Sequence, residues 1–509
     1  MSWIRLCGAA LGTVALLVAG CGSAPAPASA AEAADRTLDV AYAGLETAFP
    51  NPVADEFQSY FGNAEYLMRP GPDGQEPWLA ESVEQPAPDQ WRITMRPSLT
   101  FQSGKPVTAE AVKEWFEFEA AGDPTIKLRF EGSTFATEGD RVVLVNTPQP
   151  MNDLPTELAN YSLQFYDVDA VKAVGEDYSK LAGVGAYTGP YQISSISPRE
   201  WVYTANPNYW QGAPALDKIV LKNVPDGQAA VRAIQAGEAD VHVFADVTLK
   251  PVVDVIPGLH YNTSDDVQVE VISLNTARGP FDDPAVRRAL SLSIDPVAVS
   301  QKATFGLFPP THGMFLPSSP FALDWTRFDV AEANRLLDTA GWARGPDGVR
   351  EKDGTRLEAD LISYSETLNA LSIPISEQAK AAGFALTPKQ LEYQVWQEMW
   401  EAKSYTLSML NVTYGINGDA GELCKAFIST GSFNGGVSDP ALDAECGKLV
   451  ADRSPATIAA VLRRVQEINA ENAYVLPVVG RVSAWVTNET WSNARPGAHY
   501  IPIDYQTRP

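Results

Sequence analysis

The chain has 509 residues, 45% of them hydrophobic, and a formal net charge of −25. This apolar content, together with 12 tryptophans, is typical of a well-packed globular protein and excludes a disordered chain. The acidic balance argues against a nucleic-acid-binding surface, which needs clustered Lys and Arg. The length exceeds what one hydrophobic core usually supports, so we expect two or more lobes.

The beginning of the chain predicts an export signal over residues 1–20. Arg5 supplies positive charge, and the apolar residues 6–18 are too few to span a bilayer. The sequence VAGC places small residues before Cys21, as lipoprotein processing requires, so we predict a lipid anchor at this cysteine. An ordinary cleaved signal with an incidental cysteine is the alternative. Residues 21–35 are small, contain Pro and lack periodicity, which predicts a flexible tether.

Segments in which apolar and polar residues alternate predict strands, and segments with an N-cap residue and apolar residues at helical spacing predict helices. The two kinds of segment alternate along the chain. Strands are predicted over residues 38–42, 91–96, 141–145 and 200–204. Thr108 and Asp226 are predicted helix N-caps, and the second of these helices should end at Gly237. Asp329 and Ser454 are predicted to cap two later helices. Because helices and strands alternate throughout, the predicted class is α/β.

A strand in the middle of the chain divides it into two comparable halves. Residues 267–276 alternate β-branched and polar side chains, which predicts a strand of about nine residues. Asp283 and Pro284 then predict a helix start, and residues 473–480 predict a second apolar strand. We interpret these two strands as the crossings between two lobes. The cleft between the lobes would then be the functional site, and bending at the strands would be the function.

Only two cysteines would remain free after removal of the signal and lipidation of Cys21. Cys7 and Cys21 lie in the signal region, whereas Cys424 and Cys446 lie far along the chain. An exported protein can oxidise such a pair, and we predict a disulfide between them. Two unpaired buried thiols are the alternative.

Several segments, taken in order, resemble the extracellular solute-binding proteins of family 5, which serve ABC importers of the peptide/nickel class. The early ones are WLAES (78–82), WRITMR (91–96), FQSGKPVTAEAV (101–112), YTGPY (187–191) and NPNYW (206–210). The later ones are AGEADV (236–241), LNT (274–276), VRRAL (286–290), residues 331–342 and YVLP (474–477). Their shared order and spacing carry the resemblance, which covers nearly the whole chain after the signal.

This resemblance implies a two-lobe, periplasmic-binding-protein-like α/β fold of type II, of the large class with an extra subdomain. Two hinge strands would join the lobes. Lobe I would comprise residues 36–270 and 478–509, including the subdomain, and lobe II residues 271–477.

The resemblance also implies a role: a lipid-anchored, monomeric receptor at the extracytoplasmic face of the membrane, delivering a solute to an ABC permease. Such a receptor needs no cofactor, and no Walker A sequence is present. A secreted surface hydrolase is an alternative of another class, but the chain has no G-x-S-x-G or H-E-x-x-H motif. A sensor or chaperone without transport is a third alternative.

The ligand class stays open. Relatives that bind dipeptides use an aspartate where this chain has Ile416, and an arginine in the loop that corresponds to residues 363–367, which contains none. Losing both ion pairs should weaken short zwitterionic peptides by several kcal/mol, at roughly 1.5–3 each. Longer peptides remain an alternative.

A nickel or metallophore chelate is the other alternative. Nickel-chelate binders use an arginine within the segment matching residues 160–164, and sometimes a histidine near Gly421, and both are missing. A cationic or uncharged chelate stays open. Direct metal binding is not predicted, because the histidines do not show ligand spacing: His242, His260, His312 and His499.

The candidate ligand-binding residues lie in loops that line the pocket of such relatives. Aromatic rings could stack on a ligand, acids could meet a cationic group, and bases an anionic one. The aromatic candidates are Phe49, Tyr161, Tyr364, Tyr393, Trp396 and Tyr414. The polar candidates are Glu46, Lys127, Arg129, Glu366, Asn417 and Asp419. Core packing for the rings and solvated loop tips for the acids are the alternatives.

Overall fold

The structure is a computed structural model, and its secondary structure alternates as the sequence predicts. It describes residues 36–43, 57–71, 74–122, 127, 130–151, 153–160, 163–175, 177–317, 319–413, 423–424, 427, 429, 434–452, 454–496 and 503–508. The strands are β1 Thr37–Ala43, β2 Met68–Gly71, β3 Gly74–Pro77, β4 Ala80–Ala87, β5 Gln90–Met95, β6 Thr134–Glu138, β7 Val142–Asn146, β8 Tyr191–Ile196, β9 Glu200–Ala205, β10 Lys218–Val224, β11 Val241–His242, β12 Leu259–Leu274, β13 Ala343–Arg344, β14 Arg350–Lys352, β15 Thr355–Arg356, β16 Glu358–Ser363, β17 Ala385–Gln390, β18 Leu407–Thr413 and β19 Val475–Asn488.

The helices connect these strands. They are α1 Phe57–Tyr60, α2 Ala109–Gly122, α3 Leu154–Glu157, α4 Val168–Val174, α5 Gly227–Gln235, α6 Lys250–Val253, α7 Pro284–Leu292, α8 Pro296–Ala303, α9 Val330–Thr339, α10 Glu366–Ala379, α11 Tyr393–Glu401, α12 Pro440–Ala451 and α13 Pro455–Asn472. Short 3₁₀ turns cover Tyr178–Leu181, Val247–Leu249 and Lys380–Ala382. Within the described ranges, no helix is both long enough and apolar enough to cross a membrane.

The predicted caps are confirmed in the structure. The side chains of Asp226, Asp283 and Asp329 accept hydrogen bonds from backbone N–H groups in the first turns of α5, α7 and α9. Ser454 does the same for α13, and Thr108 accepts from Ala111 N at 3.2 Å at the start of α2. Each cap satisfies a donor that the helix itself leaves unpaired, so the helix starts are determined locally.

One ten-stranded sheet runs through both lobes, in the order β17-β16-β18-β12-β19-β11-β1-β10-β9-β8. On one side, β1 is parallel to β10 and β11; on the other, β16 is parallel to β17 and β18. We call the part with β1 and β8–β11 lobe I, and the part with β16–β18 lobe II. The buried residues follow this division, because one pair of hydrophobic cores surrounds the lobe I strands and another pair surrounds the lobe II strands.

The two central strands, β12 and β19, pair antiparallel and contribute to both lobes. Leu259 to Asp265 pair with Asn488 to Val482 towards the lobe I strands, and Val269 to Ser273 pair with Gly480 to Val475 towards the lobe II strands. The predicted crossing strands therefore exist, but both are longer than predicted. The part of β12 that the sequence did not predict, residues 259–266, is mostly polar, so it shows no apolar alternation. This segment is extended because it pairs with β19. One register shift lies between the two parts, from Asp265 to Val269, and another lies within the second part, between Glu270 and Val271.

Lobe I carries a separate four-stranded antiparallel sheet, in the order β4-β5-β7-β6. Helix α2 covers it. Trp115 of α2 is fully buried and donates its Nε1–H to Gln164 O at 3.0 Å, while Phe116 stacks on Phe135 with ring centroids 5.0 Å apart. This sheet and its helix form the extra subdomain that the resemblance implies.

Two of the sequence segments that carry the resemblance meet around a buried acid. Glu65 is 2% exposed, and Trp78, Tyr209 and Trp210 all donate hydrogen bonds to its Oε1, at 2.9, 2.8 and 3.2 Å. Burial nevertheless raises the pKa of Glu65, against the lowering effect of these donors. These aromatic residues therefore build the core of lobe I rather than a ligand site.

Cys446 lies within α12, and Cys424 lies beside it in the same hydrophobic core of lobe II, with the two Cα atoms 5.8 Å apart. This separation is within the range that a disulfide requires.

Candidate functional site

The parallel strands of both lobes end at edges where ligands bind in open α/β sheets. In lobe II, Tyr364 directly follows β16, Tyr393 begins α11 just after β17, and residues 414–422, which follow β18, lie outside the described residues. In lobe I, Phe244 and Asp246 follow β11, and Asp226 follows β10. The strand ends thus bring together residues that are far apart in the sequence.

The lobe II edge carries a cluster of aromatic side chains. The ring of Tyr364 lies 4.5 Å from Trp396 and 5.5 Å from Tyr393, and Tyr393 stacks on Trp396 at 5.8 Å. Tyr393 is 56% exposed, whereas Trp396 is 7% exposed and donates its Nε1–H to Ser408 Oγ at 2.8 Å. The cluster therefore offers the ring of Tyr393 to solvent, and Trp396 supports it from the core.

Tyr364 joins this cluster to the hinge. Its hydroxyl donates to Asn411 Oδ1 at 3.0 Å, and Asn411 pairs with Glu270 across β18 and β12. Burial and the negative charge of Glu270 raise the pKa of Tyr364, while the positive charge of Arg481 opposes that shift. The phenol stays protonated at neutral pH and acts as a hydrogen-bond donor.

The lobe I edge presents an aromatic residue that the sequence analysis missed. Phe244 is 38% exposed and has a φ of 54°, a left-handed conformation that bulky residues rarely adopt. Its ring makes edge contacts with Tyr60 at 4.8 Å and Tyr42 at 5.9 Å. No periodicity signals such a residue, because both the backbone conformation and the exposure depend on the tertiary structure.

The two edges touch. Thr367 Oγ1, in the first turn of α10, donates to Asp246 Oδ2 at 2.8 Å. Beside this contact, partial burial and then the charges of Asp246 and Asp226 raise the pKa of Glu366. The lobe I and lobe II edges therefore come together at this contact, which carries acids. We call the space between the two edges the gap.

The crossing strands β12 and β19 lie between the lobe I and lobe II strands in the sheet, and we call the partly exposed segment 481–483 of β19 the floor. Along β19, residues are buried except for Arg481, Val482 and Ser483, which are partly exposed, and Asn488 at the strand end. On one side of this segment Gly480 N donates to Pro309 O at 2.7 Å in lobe II, and on the other Ala245 N donates to Ala484 O at 2.8 Å in lobe I. The strand thus opens to solvent only where it passes from one lobe to the other.

A charge pair lies at this floor. Arg481 Nη1 is 3.7 Å from Glu270 Oε1, with the Arg481 side chain 31% exposed and that of Glu270 fully buried. The sequence analysis nominated neither residue, because each lies inside a strand whose partner strand is distant in the sequence.

The structure places only some of the predicted site residues. Tyr364, Tyr393 and Trp396 come together at the lobe II edge. Glu366 begins α10 near Asp246, and Lys127 is exposed on the surface. The other candidates, and the predicted lipidation site Cys21, lie outside the described residues: Glu46, Phe49, Arg129, Tyr161, Tyr414, Asn417 and Asp419.

Three histidines lie in the described part of the chain, and each has a neighbouring polar partner, whereas His499 lies outside it. His242 is buried with its Nδ1 3.0 Å from Ala41 O, and burial lowers its pKa. His260 Nε2 lies 3.0 Å from Glu489, and His312 Nδ1 lies 3.1 Å from Thr326 Oγ1. In the part of the chain that the structure describes, His, Cys, Asp and Glu side chains form no group of three that could hold a metal ion.

Curated relatives match much of the chain. A nickel-binding periplasmic protein of Escherichia coli (strain K12) is 26% identical over 338 residues, covering 60% of this chain and 60% of the relative. The glutathione-binding protein GsiB of Salmonella typhimurium is 29% identical over 267 residues, covering 51% of each. These alignments thus span about half to three-fifths of the relatives' own lengths.

The solved structure of NikA from Staphylococcus aureus in complex with Ni(L-His)2 is similar in fold. The TM-score is 0.78 at 20% identity, covering 93% of this chain and 99% of that one. The predicted two-lobe, periplasmic-binding-protein-like fold is therefore confirmed.

A family model completes the comparison. The model described as "Bacterial extracellular solute-binding proteins, family 5 Middle" matches residues 74–434. This span exceeds half of the chain and includes most of the segments on which the predicted resemblance depends. The chain therefore belongs to family 5 of the bacterial extracellular solute-binding proteins, which are receptors and not enzymes.

Proposed function

We propose that this chain is the solute-binding receptor of an ABC importer and that it captures a small polar solute between its two lobes. The observation that carries the proposal is the meeting of the two strand-end edges, through Thr367 and Asp246, in a sheet whose crossing strands β12 and β19 join the lobes. A solute in this gap would contact both lobes only when they are closed. Ligand binding would then shift the population towards the closed form by its differential affinity.

We further propose the boundaries and the attachment of the receptor. Lobe I would comprise residues 36–270 and 478–509, and lobe II residues 271–477; this places the boundaries beside the register shift between Glu270 and Val271. A lipid on Cys21 would hold the receptor at the extracytoplasmic face of the membrane through the tether, as a monomer. A disulfide between Cys424 and Cys446 would suit that oxidising location.

The ligand-binding surface would combine three parts. Tyr364, Tyr393 and Glu366 would contribute from lobe II, together with the loop that holds Tyr414, Asn417 and Asp419. Lobe I would contribute Phe244 and the loop with Glu46 and Phe49. Exposed rings such as Tyr393 and Phe244 would supply apolar contact, while the acids would meet a positive group.

Three ligand classes fit these proposals. The relatives' names point to a nickel chelate or to glutathione, a small peptide. A chelate would be recognised through its organic part, since the described residues offer no cluster of metal-binding side chains. Longer peptides, held through their backbone, are the third candidate.

The test is small-angle X-ray scattering of the purified protein with and without a solute that binds tightly. Native mass spectrometry of protein purified from its own host would first identify a co-purifying solute. We expect the radius of gyration to fall on binding. A tightly bound solute that leaves the particle's dimensions unchanged would refute lobe closure.

A further inference from the structure

A pocket lies in lobe II, away from the floor. Its lining residues come from the end of α7, the loop before α9, the first turn of α9 and the end of α13. Helix α13 leads into β19, whose first residue, Val475, lies six residues before Arg481 at the start of the floor. Because a strand rises about 3.3 Å per residue, this separation is about 20 Å. The described lining residues include none of those at the meeting edges, so the pocket is separate from the gap.

The loop before α9 is fixed by backbone hydrogen bonds. Trp325 N and Thr326 N both donate to His312 O, at 2.9 and 3.0 Å. Asp329 N donates to Leu292 O at 2.8 Å, which ties the end of this loop to the end of α7. The pocket walls are therefore held in place by the fold, and a ligand would not have to order them.

The pocket carries an excess of positive charge. Arg288 and Arg327 line it together with one acid, Glu332. Glu332 accepts hydrogen bonds from Arg335 at 2.6 and 2.7 Å; these bonds lower its pKa, and the charges of Arg327 and Arg288 lower it further. Arg327 also lies 3.5 Å from Asp329, whereas Arg288 is exposed and forms no ion pair with any described residue. Three guanidinium groups thus face two carboxylates, and this local excess attracts an anion.

The rest of the lining is apolar apart from Ser291. Leu292, Ala470 and Ala473 form this part with Trp325. Trp325 Nε1 is buried and has no hydrogen-bond partner among the described residues. An unpaired buried donor is unfavourable, and an oxyanion in the pocket would bring an acceptor to the wall that Trp325 forms. The volume of about 280 Å³ is slightly below the roughly 300 Å³ at which small-molecule sites begin, so it suits a small ligand.

We propose that this pocket is a second binding site, which takes a small organic anion through a carboxylate or phosphate group. Arg288 and Arg327 would hold the oxygens, because the planar guanidinium matches both kinds of oxyanion. The apolar wall with Trp325 would pack against the rest of the anion. The inference goes beyond the proposed function and does not depend on it, because the pocket is separate from the gap.

The test compares anionic probes with a neutral probe of similar shape. Isothermal titration calorimetry of the full chain would use benzoate, phenyl phosphate and benzamide. We expect at least one of the two anions to bind with one-to-one stoichiometry and at least about tenfold more tightly than benzamide, as charge-assisted hydrogen bonds imply. The anion that binds more tightly identifies the group that the pocket prefers.

Variants of the lining place the probe in the pocket. Arg288→Gln and Arg327→Gln should each weaken the anion by about tenfold. Ala470→Phe keeps every charge but fills the pocket, so it should abolish binding. Both arginines are exposed, so their replacement should leave the unfolding temperature without probe unchanged. Arg463→Gln is the matched control: it removes a surface arginine of α13 that pairs with Glu467 at 3.0 Å, and it should bind the probes like the wild type.

Three outcomes would overturn the inference. The first is that neither anion binds with one-to-one stoichiometry up to millimolar concentration. The second is equal affinity of the wild type for the anions and for benzamide. The third is an anion affinity that Arg288→Gln, Arg327→Gln and Ala470→Phe all leave unchanged, because the anion would then bind elsewhere in the chain. None of these outcomes changes the expectation that a solute closes the lobes, so the proposed function is tested separately.

Discussion

The contact between Thr367 and Asp246 offers a direct way to change the balance between open and closed lobes. Thr367→Val keeps the shape of the side chain but removes the hydroxyl that donates to Asp246 Oδ2 at 2.8 Å. Asp246 would retain its bond from Thr248 N at 3.0 Å, so the local turn should stay intact. Thr367 is 8% exposed, which protects this hydrogen bond from water.

The magnitude follows from the kind of bond. A hydrogen bond to a charged group contributes roughly 1.5–3 kcal/mol, and we take the lower end because Asp246 is only partly buried. About 1.5 kcal/mol corresponds to roughly a tenfold shift in an equilibrium constant. If the contact belongs to the closed form, the variant should be more open on average and should bind its solute up to about tenfold more weakly.

Scattering and calorimetry on the same samples would measure both effects. Thr339→Val is a matched control, because Thr339 Oγ1 donates to Arg335 O at 2.8 Å within a single helix of lobe II. It should change neither the radius of gyration nor the affinity. If Thr367→Val also changes neither, the contact does not hold the lobes together and the reasoning is refuted.

Three further predictions concern charge, attachment and covalent structure. The pKa of Glu366 in the folded protein is raised above its ordinary value of 4.5. Ionising this carboxyl group is therefore less favourable in the folded chain than in the unfolded chain, so it lowers the stability of the fold as the pH rises above 4.5. Glu366→Gln should therefore raise the unfolding temperature modestly at pH 7 and leave it unchanged at pH 4, and equal shifts at both values would contradict this. Cys21→Ala should move the protein from the membrane fraction to the soluble fraction of its host, as blotting would show, and unchanged fractionation would contradict the lipid anchor. Replacing Cys424 and Cys446 together by Ser should lower the free energy of unfolding by about 3 kcal/mol, because the disulfide closes the loop between them in the unfolded chain. Two free thiols in the wild type, detected by intact-mass analysis after thiol alkylation, would contradict the disulfide.

Local sequence was sufficient wherever neighbouring residues decide the structure. Asp283 and Ser454 cap helices because their own side chains satisfy the first free N–H groups, whatever the rest of the chain does. Tyr364 and Tyr393 were named as loop candidates only through the family resemblance, and the strands that precede them, β16 and β17, were not predicted. Trp396 shows the limit: it was named as a loop residue that could stack on a ligand, yet it lies within α11 and is buried against Trp400 and Ser408, which no pattern distinguishes from an exposed position.

The amino-acid sequence by itself determined the α/β class, the helix starts, the two crossing strands and the family, because these depend on periodicity, capping and ordered motifs along the chain. Only the tertiary structure placed Arg481 beside Glu270 and Thr367 beside Asp246. Those pairs depend on the register of antiparallel strands and on the approach of two lobes, and both are set by packing between segments that are distant in the sequence. Phe244 belongs with them, since its left-handed backbone and exposed ring are imposed by the structure around it.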